Sequence, residues 1–283
     1  MWRLNLSGAS GLQKRLELLK HFTGLEELKM GDMCVSDISP LRHLKKLRKF
    51  TLYGHIEDIS PLQGLKELVD LKLVIDTRNL IPLKGLSKLE KLHLKCPTED
   101  FSPLENLHNL RELTIHFTRR DQDLSFFKGL KNLRWLRTHG DISKADLTPI
   151  KHLKNLRVLD ALDTKIPELP PLRHLENLER LELSCEEVSD LSPFGDLKNL
   201  KVFFIAALAK LDLSPLKGVE NLEKLRIWSN DISEEDLTAL SGMKDLTIYF
   251  RGKEYFTKED GIYRVAKSPL SEPERISPDS ESE

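Results

Sequence analysis

Hydrophobic residues recur along this chain in one repeated pattern, with apolar positions at the first, fourth and sixth residues of L-x-x-L-x-L. The last apolar positions alternate with polar ones, as expected when a β-strand has one buried face. Successive copies lie 21 to 23 residues apart. The middle apolar residues of the eleven copies are Leu28, Phe50, Leu71, Leu92, Leu113, Leu136, Leu159, Leu181, Phe203, Leu225 and Leu246. The pattern predicts eleven short strands, and a partial copy at Leu4 and Leu6 suggests a twelfth.

A second motif, D-x-S-P followed by Leu or Phe, lies between several of these strands. Its copies are Asp37–Leu41, Asp58–Leu62, Asp100–Leu104, Asp190–Phe194 and Asp212–Leu216. Serine before proline is typical of a helix start, because serine can cap the helix and proline fits its first turn. The motif therefore predicts a short helix of about two turns after each of these strands, with serine as the cap.

Together the two motifs resemble the leucine-rich-repeat family over roughly residues 25–250. The closest resemblance is to the 21–23-residue class of bacterial internalin-like proteins and of a eukaryotic phosphatase-regulator protein. It implies an α/β solenoid, a curved horseshoe with a parallel sheet of about 11–12 short strands on its concave face. Short helices or turns would line the convex face. The family's usual turn asparagine is present only at Asn230, and Leu208 at the same place predicts an irregular turn.

The regions outside the repeats predict the ends of the solenoid. Residues 1–24 predict an N-terminal strand and an amphipathic capping helix, with Leu12, Leu16, Leu19 and Phe22 on one side. A strand this early is either a bare sheet edge or a sign that the chain is part of a longer protein. Residues 25–250 form the predicted solenoid, 251–267 a capping hairpin, and 268–283 a disordered acidic Ser/Pro tail.

Charge and cysteine content narrow the possible environments. The 44 Lys and Arg balance 45 Asp and Glu for a net charge of −1, so nothing draws the whole chain to nucleic acid or anionic membrane. No apolar run approaches the roughly 20 residues of a membrane span, and the first 30 residues lack a secretory signal. Three cysteines, Cys34, Cys96 and Cys185, leave at least one unpaired. We therefore expect a location in the reducing cytoplasm. A monomer is favoured, although the sequence does not give the oligomeric state.

Strand alternation predicts which side chains point away from the core, on the concave face. Its large aromatic and cationic members are the candidates for contact with a partner, because Trp and Arg are enriched at binding hot spots. These candidates are Trp135, Arg137, His139, His116, His93, Phe204, Arg226, Trp228 and Tyr249. Both tryptophan rings are expected to face solvent.

The sequence predicts no catalytic residue, no metal ligand and no cofactor. His116 and His139 could adjoin in neighbouring strands, but a metal site would need further ligands. Asp160 and Glu182 resemble a carboxylate pair, yet adjacent arginines favour simple ion pairing. Phosphate-binding loops and common hydrolase motifs are missing from the sequence.

The predicted function is therefore a non-enzymatic protein-interaction module or scaffold that binds a protein partner through its concave face. One alternative is a regulatory subunit of an enzyme such as a phosphatase, which would change its partner's catalytic rate. Another is the ligand-sensing C-terminal part of a larger nucleotide-binding immune-type sensor, which would need an upstream nucleotide-binding domain. A secreted adhesin is disfavoured because no signal peptide or anchor is recognised.

Overall fold

The computed structural model describes residues 2–8, 12–31, 35–166, 172–185, 188–229, 231–233, 235–243, 245–250, 253–257 and 263–265. The described chain forms two compact units, one ending at Leu133 and the other beginning at Arg134. Three sequence predictions lie outside the described residues: the turn asparagine Asn230, the cysteine Cys34 and the acidic tail 268–283.

Six parallel strands form the sheet of the first unit among its described residues. Their order in the sheet follows their order in the chain. They are β1 (Trp2–Asn5), β2 (Leu25–Gly31), β3 (Lys49–Tyr53), β4 (Asp70–Val74), β5 (Lys91–Lys95) and β6 (Glu112–His116).

The second unit has eight described strands in one sheet. They are β7 (Trp135–Asp141), β8 (Val158–Lys165), β9 (Arg180–Ser184), β10 (Val202–Ala206), β11 (Lys224–Trp228), β12 (Thr247–Phe250), β13 (Lys253–Thr257) and β14 (Tyr263–Val265). β7 to β12 are parallel, whereas β12–β13 and β13–β14 pair antiparallel. The predicted eleven or twelve short parallel strands are confirmed, six in each unit.

The repeat positions explain why these strands stack in register. Phe203 in β10 pairs with Leu181 in β9 and Leu225 in β11, and all three side chains are fully buried. Because the motif places an apolar residue at the same point of each strand, equal register aligns these residues in columns. A single repeat could not bury its leucines alone, so stacking creates the core.

Short helices form the layer opposite the sheet. All helices in the described residues are 3₁₀ helices, most of them three to five residues long. They are Leu12–His21, Ser39–His43, Ser60–Gly64, Ile81–Leu83, Ser102–Asn106, Ser125–Gly129, Thr148–His152, Leu172–His174, Ser192–Phe194, Ser214–Gly218 and Asp236–Leu240. The prediction of about two turns is wrong for the repeat helices, because the 21–23-residue repeat leaves room for little more than one.

Aspartate, and not serine, satisfies the start of these helices. The backbone N–H of Ser60 donates to Oδ1 of Asp58 at 2.8 Å, and Ser214 donates likewise to Asp212 at 2.9 Å. No side chain of the residue preceding either helix caps it, while proline lies in the first turn as predicted. The prediction of a serine cap is therefore wrong.

An unpredicted asparagine links five of the repeats to the repeat before them. It lies just before the first leucine of the strand motif, whereas the turn asparagine of the family, Asn230 in this chain, follows the strand. In the second unit, Nδ2 of Asn199 donates to the carbonyl of Glu176 at 2.8 Å. Equivalent bonds are made by Asn109, Asn132, Asn177 and Asn221. These bonds satisfy carbonyl groups in the turns between helix and strand.

The N-terminal helix spans Leu12–His21. Leu16 and Leu19 are buried, but Phe22, which lies beyond the helix end at His21, is 41% exposed. A 3₁₀ helix has three residues per turn, so Leu16, Leu19 and Phe22 would align only if the helix continued. No helix of the described residues is long and apolar enough to cross a bilayer.

Candidate functional site

The open face, defined as the sheet face whose side chains point away from the core, is the candidate site in each unit. In the first unit, His93 in β5 and His116 in β6 lie side by side with ring centroids 6.0 Å apart. Nζ of Lys91 lies 2.9 Å from Oε1 of Glu112. This part of the open face is therefore a mixed surface of half-buried histidines and paired charges.

Strands β7 to β9 place two ion pairs and one histidine–carboxylate contact on the open face of the second unit. Nε of Arg137 donates to Oδ2 of Asp160 at 2.6 Å, between neighbouring strands. Arg180 pairs with Glu182 two residues along β9, where Nε lies 2.6 Å from Oε1. Nδ1 of His139 lies 3.3 Å from Oδ2 of Asp163.

Trp135 contradicts the expectation that its ring faces solvent. The residue is only 6% exposed, although strand alternation places it on the open face. Its Nε1–H has no hydrogen-bond partner among the described residues. With Val158 and Arg180 it lines a cavity of about 20 Å³, which is room for one water molecule. Neighbouring side chains of β8 and β9 therefore help to cover the indole.

Burial shifts the protonation of two groups in this cluster. Burial raises the pKa of the Glu182 carboxyl, Arg180 opposes this by favouring the charged form, and nearby Asp160 adds to it by repulsion. Burial also lowers the pKa of His139, against the attraction of Asp163 and Asp160. The predicted ion pairing of Asp160 and Glu182 with adjacent arginines is what the structure contains.

Strands β10 to β12 carry a different arrangement. The guanidinium of Arg226 in β11 lies 5.7 Å from the ring centroid of Phe204 in β10 and 5.3 Å from that of Tyr249 in β12. Equal register places these three residues in one row across the sheet. Trp228, two residues along β11, is 71% exposed, as predicted from alternation.

We call Phe204, Lys224, Arg226, Trp228 and Tyr249 the arginine–aromatic surface. Lys224 is exposed. Neither Lys224 nor Arg226 has a carboxylate within ion-pair distance in the described part of the chain. Sequence reasoning missed Lys224, although alternation in β11 puts it on the same face as Arg226. A cation stacked on rings and left without a counter-charge can bind an anionic group.

The candidate residues therefore form separate groups. His93 and His116 adjoin in the first unit. In the second unit Arg137 forms an ion pair with Asp160, and His139 contacts the carboxylate of Asp163. Within the described residues, no group of three or more His, Cys, Asp or Glu side chains could hold a metal ion.

Comparison with known proteins identifies the fold. No family model matches the sequence, and no curated protein sequence matches it. Among solved structures, an internalin (InlF) of Listeria monocytogenes is 26% identical with a TM-score of 0.69, over 82% of this chain and 75% of that one. The chain is a leucine-rich-repeat protein with internalin-like repeats.

Two further leucine-rich-repeat structures share the fold at lower identity. A leucine-rich-repeat protein of Leptospira interrogans is 20% identical with a TM-score of 0.64, over 83% of this chain and 62% of its own. The functional domain of InlJ from Listeria monocytogenes is 17% identical with a TM-score of 0.52, over 74% and 50%. The predicted leucine-rich-repeat family and its internalin-like class are confirmed.

Proposed function

We propose that this leucine-rich-repeat protein is a non-enzymatic interaction module that binds a protein partner through the open face of its second unit. The observation that carries the proposal is the arginine–aromatic surface. Its exposed Trp228 lies beside Arg226, which Phe204 and Tyr249 flank. Trp, Tyr and Arg are the side chains most enriched among residues that dominate binding energy.

The arginine–aromatic surface is better suited to binding than to packing within the fold. An indole that is 71% exposed contributes little hydrophobic free energy to the fold. The two flanking rings hold Arg226 in place before a partner arrives, so less side-chain entropy is lost on binding. The fold supports the proposal as well, because repeat solenoids commonly present extended binding surfaces.

The test is quantitative affinity capture from lysate of the source cells with the full chain. Trp228→Ala and Arg226→Ala are compared with the wild type. Ile81→Ala is the matched control, because Ile81 is 63% exposed in the helix layer. We expect at least one protein that wild type and control retain equally and that Trp228→Ala loses by about tenfold, the equivalent of about 1.4 kcal/mol. Circular dichroism verifies that all variants are folded.

Equal capture by wild type and Trp228→Ala of every specifically bound protein would contradict the proposal. If the captured partner is an enzyme, its catalytic rate is measured with and without a saturating amount of the chain. A changed rate would favour the regulatory-subunit alternative over a passive scaffold. An upstream nucleotide-binding domain in the native source protein would favour the sensor alternative.

A reducing, cytoplasmic location is part of this proposal. Cys96 and Cys185 are both buried, and burial raises the pKa of the Cys96 thiol to about 11. A buried thiol of this kind behaves as a small apolar side chain. Fractionation of source cells tests this part, and recovery outside the cytoplasm would contradict it.

A further inference from the structure

The cations on the open face of the second unit differ in how their charge is balanced. Arg137 and Arg180, on β7 and β9, each pair with a carboxylate of the same face. Lys224 and Arg226, on β11, have no carboxylate partner among the described residues. The sequence positions facing them on β10 and β12 are Val202, Phe204, Ala206, Thr247 and Tyr249, none of which is acidic. Glu254 in β13 is level with Tyr249, one strand farther from Arg226. The strands directly beside β11 therefore leave the positive charges of Lys224 and Arg226 unbalanced.

The chain itself contains a segment of opposite charge. Residues 268–283 hold five acidic residues and one arginine, for a net charge of −4. The same segment contains two aliphatic side chains, Leu270 and Ile276. Carboxylates can form ion pairs with the side chains of Lys224 and Arg226, and aliphatic side chains can pack on the exposed indole of Trp228.

The sheet topology places the start of this segment near the surface. Val265, in β14, is level with Tyr255 in β13, which is level with Ile248 in β12. At about 4.8 Å per strand, β14 lies about 14 Å from β11. Glu272 follows Val265 by seven residues, which reach about 23 Å when extended. The acidic residues can therefore reach Lys224 and Arg226 of their own chain.

We propose that residues 268–283 occupy the arginine–aromatic surface of their own chain. Carboxylates of the segment pair with Lys224 and Arg226, and its aliphatic side chains cover Trp228. Because the contact is intramolecular, its effective concentration is of millimolar order, so individually weak ion pairs suffice. The segment would compete with the protein partner for this surface, and that part of the proposal rests on the proposed function.

The test is zero-length cross-linking of the full chain with a water-soluble carbodiimide. The reagent adds to a carboxyl group and activates its acyl carbon. A lysine amine then attacks that carbon, releases the reagent as a urea and forms an amide. Tryptic peptides from the monomer band are quantified, with ¹⁴N and ¹⁵N chains mixed to separate cross-links within and between chains. Lys217 is the reference amine, because it is exposed in the helix layer.

Within one chain, we expect the yield of cross-links between Lys224 and the segment to be about fivefold or more the yield at Lys217. This excess should disappear at about 0.5 M NaCl, because salt then screens charges beyond a few Å. Arg226→Gln should lower the Lys224 yield by about threefold or more, because one positive charge of the arginine–aromatic surface is lost. Lys198→Gln removes one positive charge from an exposed turn and is the charge-matched control. It should leave the Lys224 cross-link yield unchanged.

Equal yields at Lys224 and Lys217, or no cross-link from Lys224 to the segment, would overturn the proposal. Cross-links found only between differently labelled chains would also overturn it, in favour of a contact with a second copy. The measurement needs no partner, so its result is independent of the capture experiment. Suppose that Lys224 cross-links to the segment and that Trp228→Ala captures every partner as well as wild type does. The proposed function would then be wrong, and the intramolecular contact would still hold.

Discussion

Trp135 and Trp228 carry the same sequence signal and end in opposite environments. Both lie at positions that alternation assigns to the open face, yet Trp135 is 6% exposed and Trp228 is 71% exposed. Val158 and Arg180 lie beside Trp135 around the small cavity, whereas the side chains that the structure describes leave most of Trp228 uncovered. Strand period determines the face of the sheet on which a side chain lies, but the sizes of its neighbours determine how much water it meets.

Glu182 gives a pH-dependent prediction at the scale of one residue. Burial raises the pKa of its carboxyl, so the folded chain keeps that proton to higher pH than the unfolded chain does. The associated stability is present below the ordinary pKa of glutamate and is lost as the pH rises through the folded-state pKa. Glu182→Gln cannot titrate. We therefore expect its free energy of unfolding, relative to wild type, to rise as the pH increases from the ordinary pKa of glutamate, about 4.3, through the higher folded-state pKa of Glu182.

Urea denaturation at several pH values measures this difference. Glu182→Gln also weakens the pair with Arg180, which lowers the free energy of unfolding of the variant. This loss does not reverse the expected rise with pH. Glu220→Gln, an exposed carboxyl in a turn, is the control and should show little change with pH. A constant difference for Glu182→Gln, or one that falls as pH rises, would show that burial does not govern this carboxyl.

At the scale of elements, the close stacking of neighbouring helices depends on small residues. A Cβ atom at Gly129, in the helix Ser125–Gly129, would lie only 1.9 Å from the carbonyl oxygen of Glu105 in the helix Ser102–Asn106. Backbone atoms cannot move aside as a flexible side chain can. Gly129→Ala should therefore lower the free energy of unfolding by about 1–3 kcal/mol, the usual cost of overpacking.

Gly24→Ala is the matched control for this stacking prediction. Its added Cβ meets no atom within 4 Å. Thermal unfolding of both variants by circular dichroism makes the comparison, with Gly129→Ala melting lower than wild type and Gly24→Ala melting close to it. If the two melted alike, the helix layer would have to be looser than the structure places it.

At the scale of the molecule, a solenoid is held together by contacts between neighbouring repeats. Phe203 in β10 is fully buried and packs on Phe194, with ring centroids 4.9 Å apart. Phe203→Ala should cost about 3–5 kcal/mol and lower amide-exchange protection most in β9, β10 and β11. The loss should fade with distance along the strand order, because each repeat contacts only its neighbours.

Hydrogen exchange read by mass spectrometry follows this loss strand by strand. Val202→Ala changes the adjacent, half-buried open-face position of the same strand and should have a much smaller effect. An equal loss of protection in β2 to β4 and in β9 to β11 would mean that the chain unfolds as one cooperative block, contrary to the nearest-neighbour expectation.

The sequence by itself determined the fold. Leucines at a 21–23-residue spacing can be buried only if successive strands stack in register, so the repeat predicts the parallel strands and their buried columns. The open-face positions of Arg226 and Trp228 also follow from alternation, because strand period alone assigns a residue to a face.

Only the tertiary structure decided how those face residues interact. It showed Trp135 covered, Arg137 and Arg180 paired with carboxylates, and Arg226 held between the rings of Phe204 and Tyr249. It also assigned the helix-start contact to Asp58 and Asp212 in place of the serines. Burial and pairing depend on distances between side chains of neighbouring repeats, and those distances are set by how the repeats stack and not by the period within any one repeat.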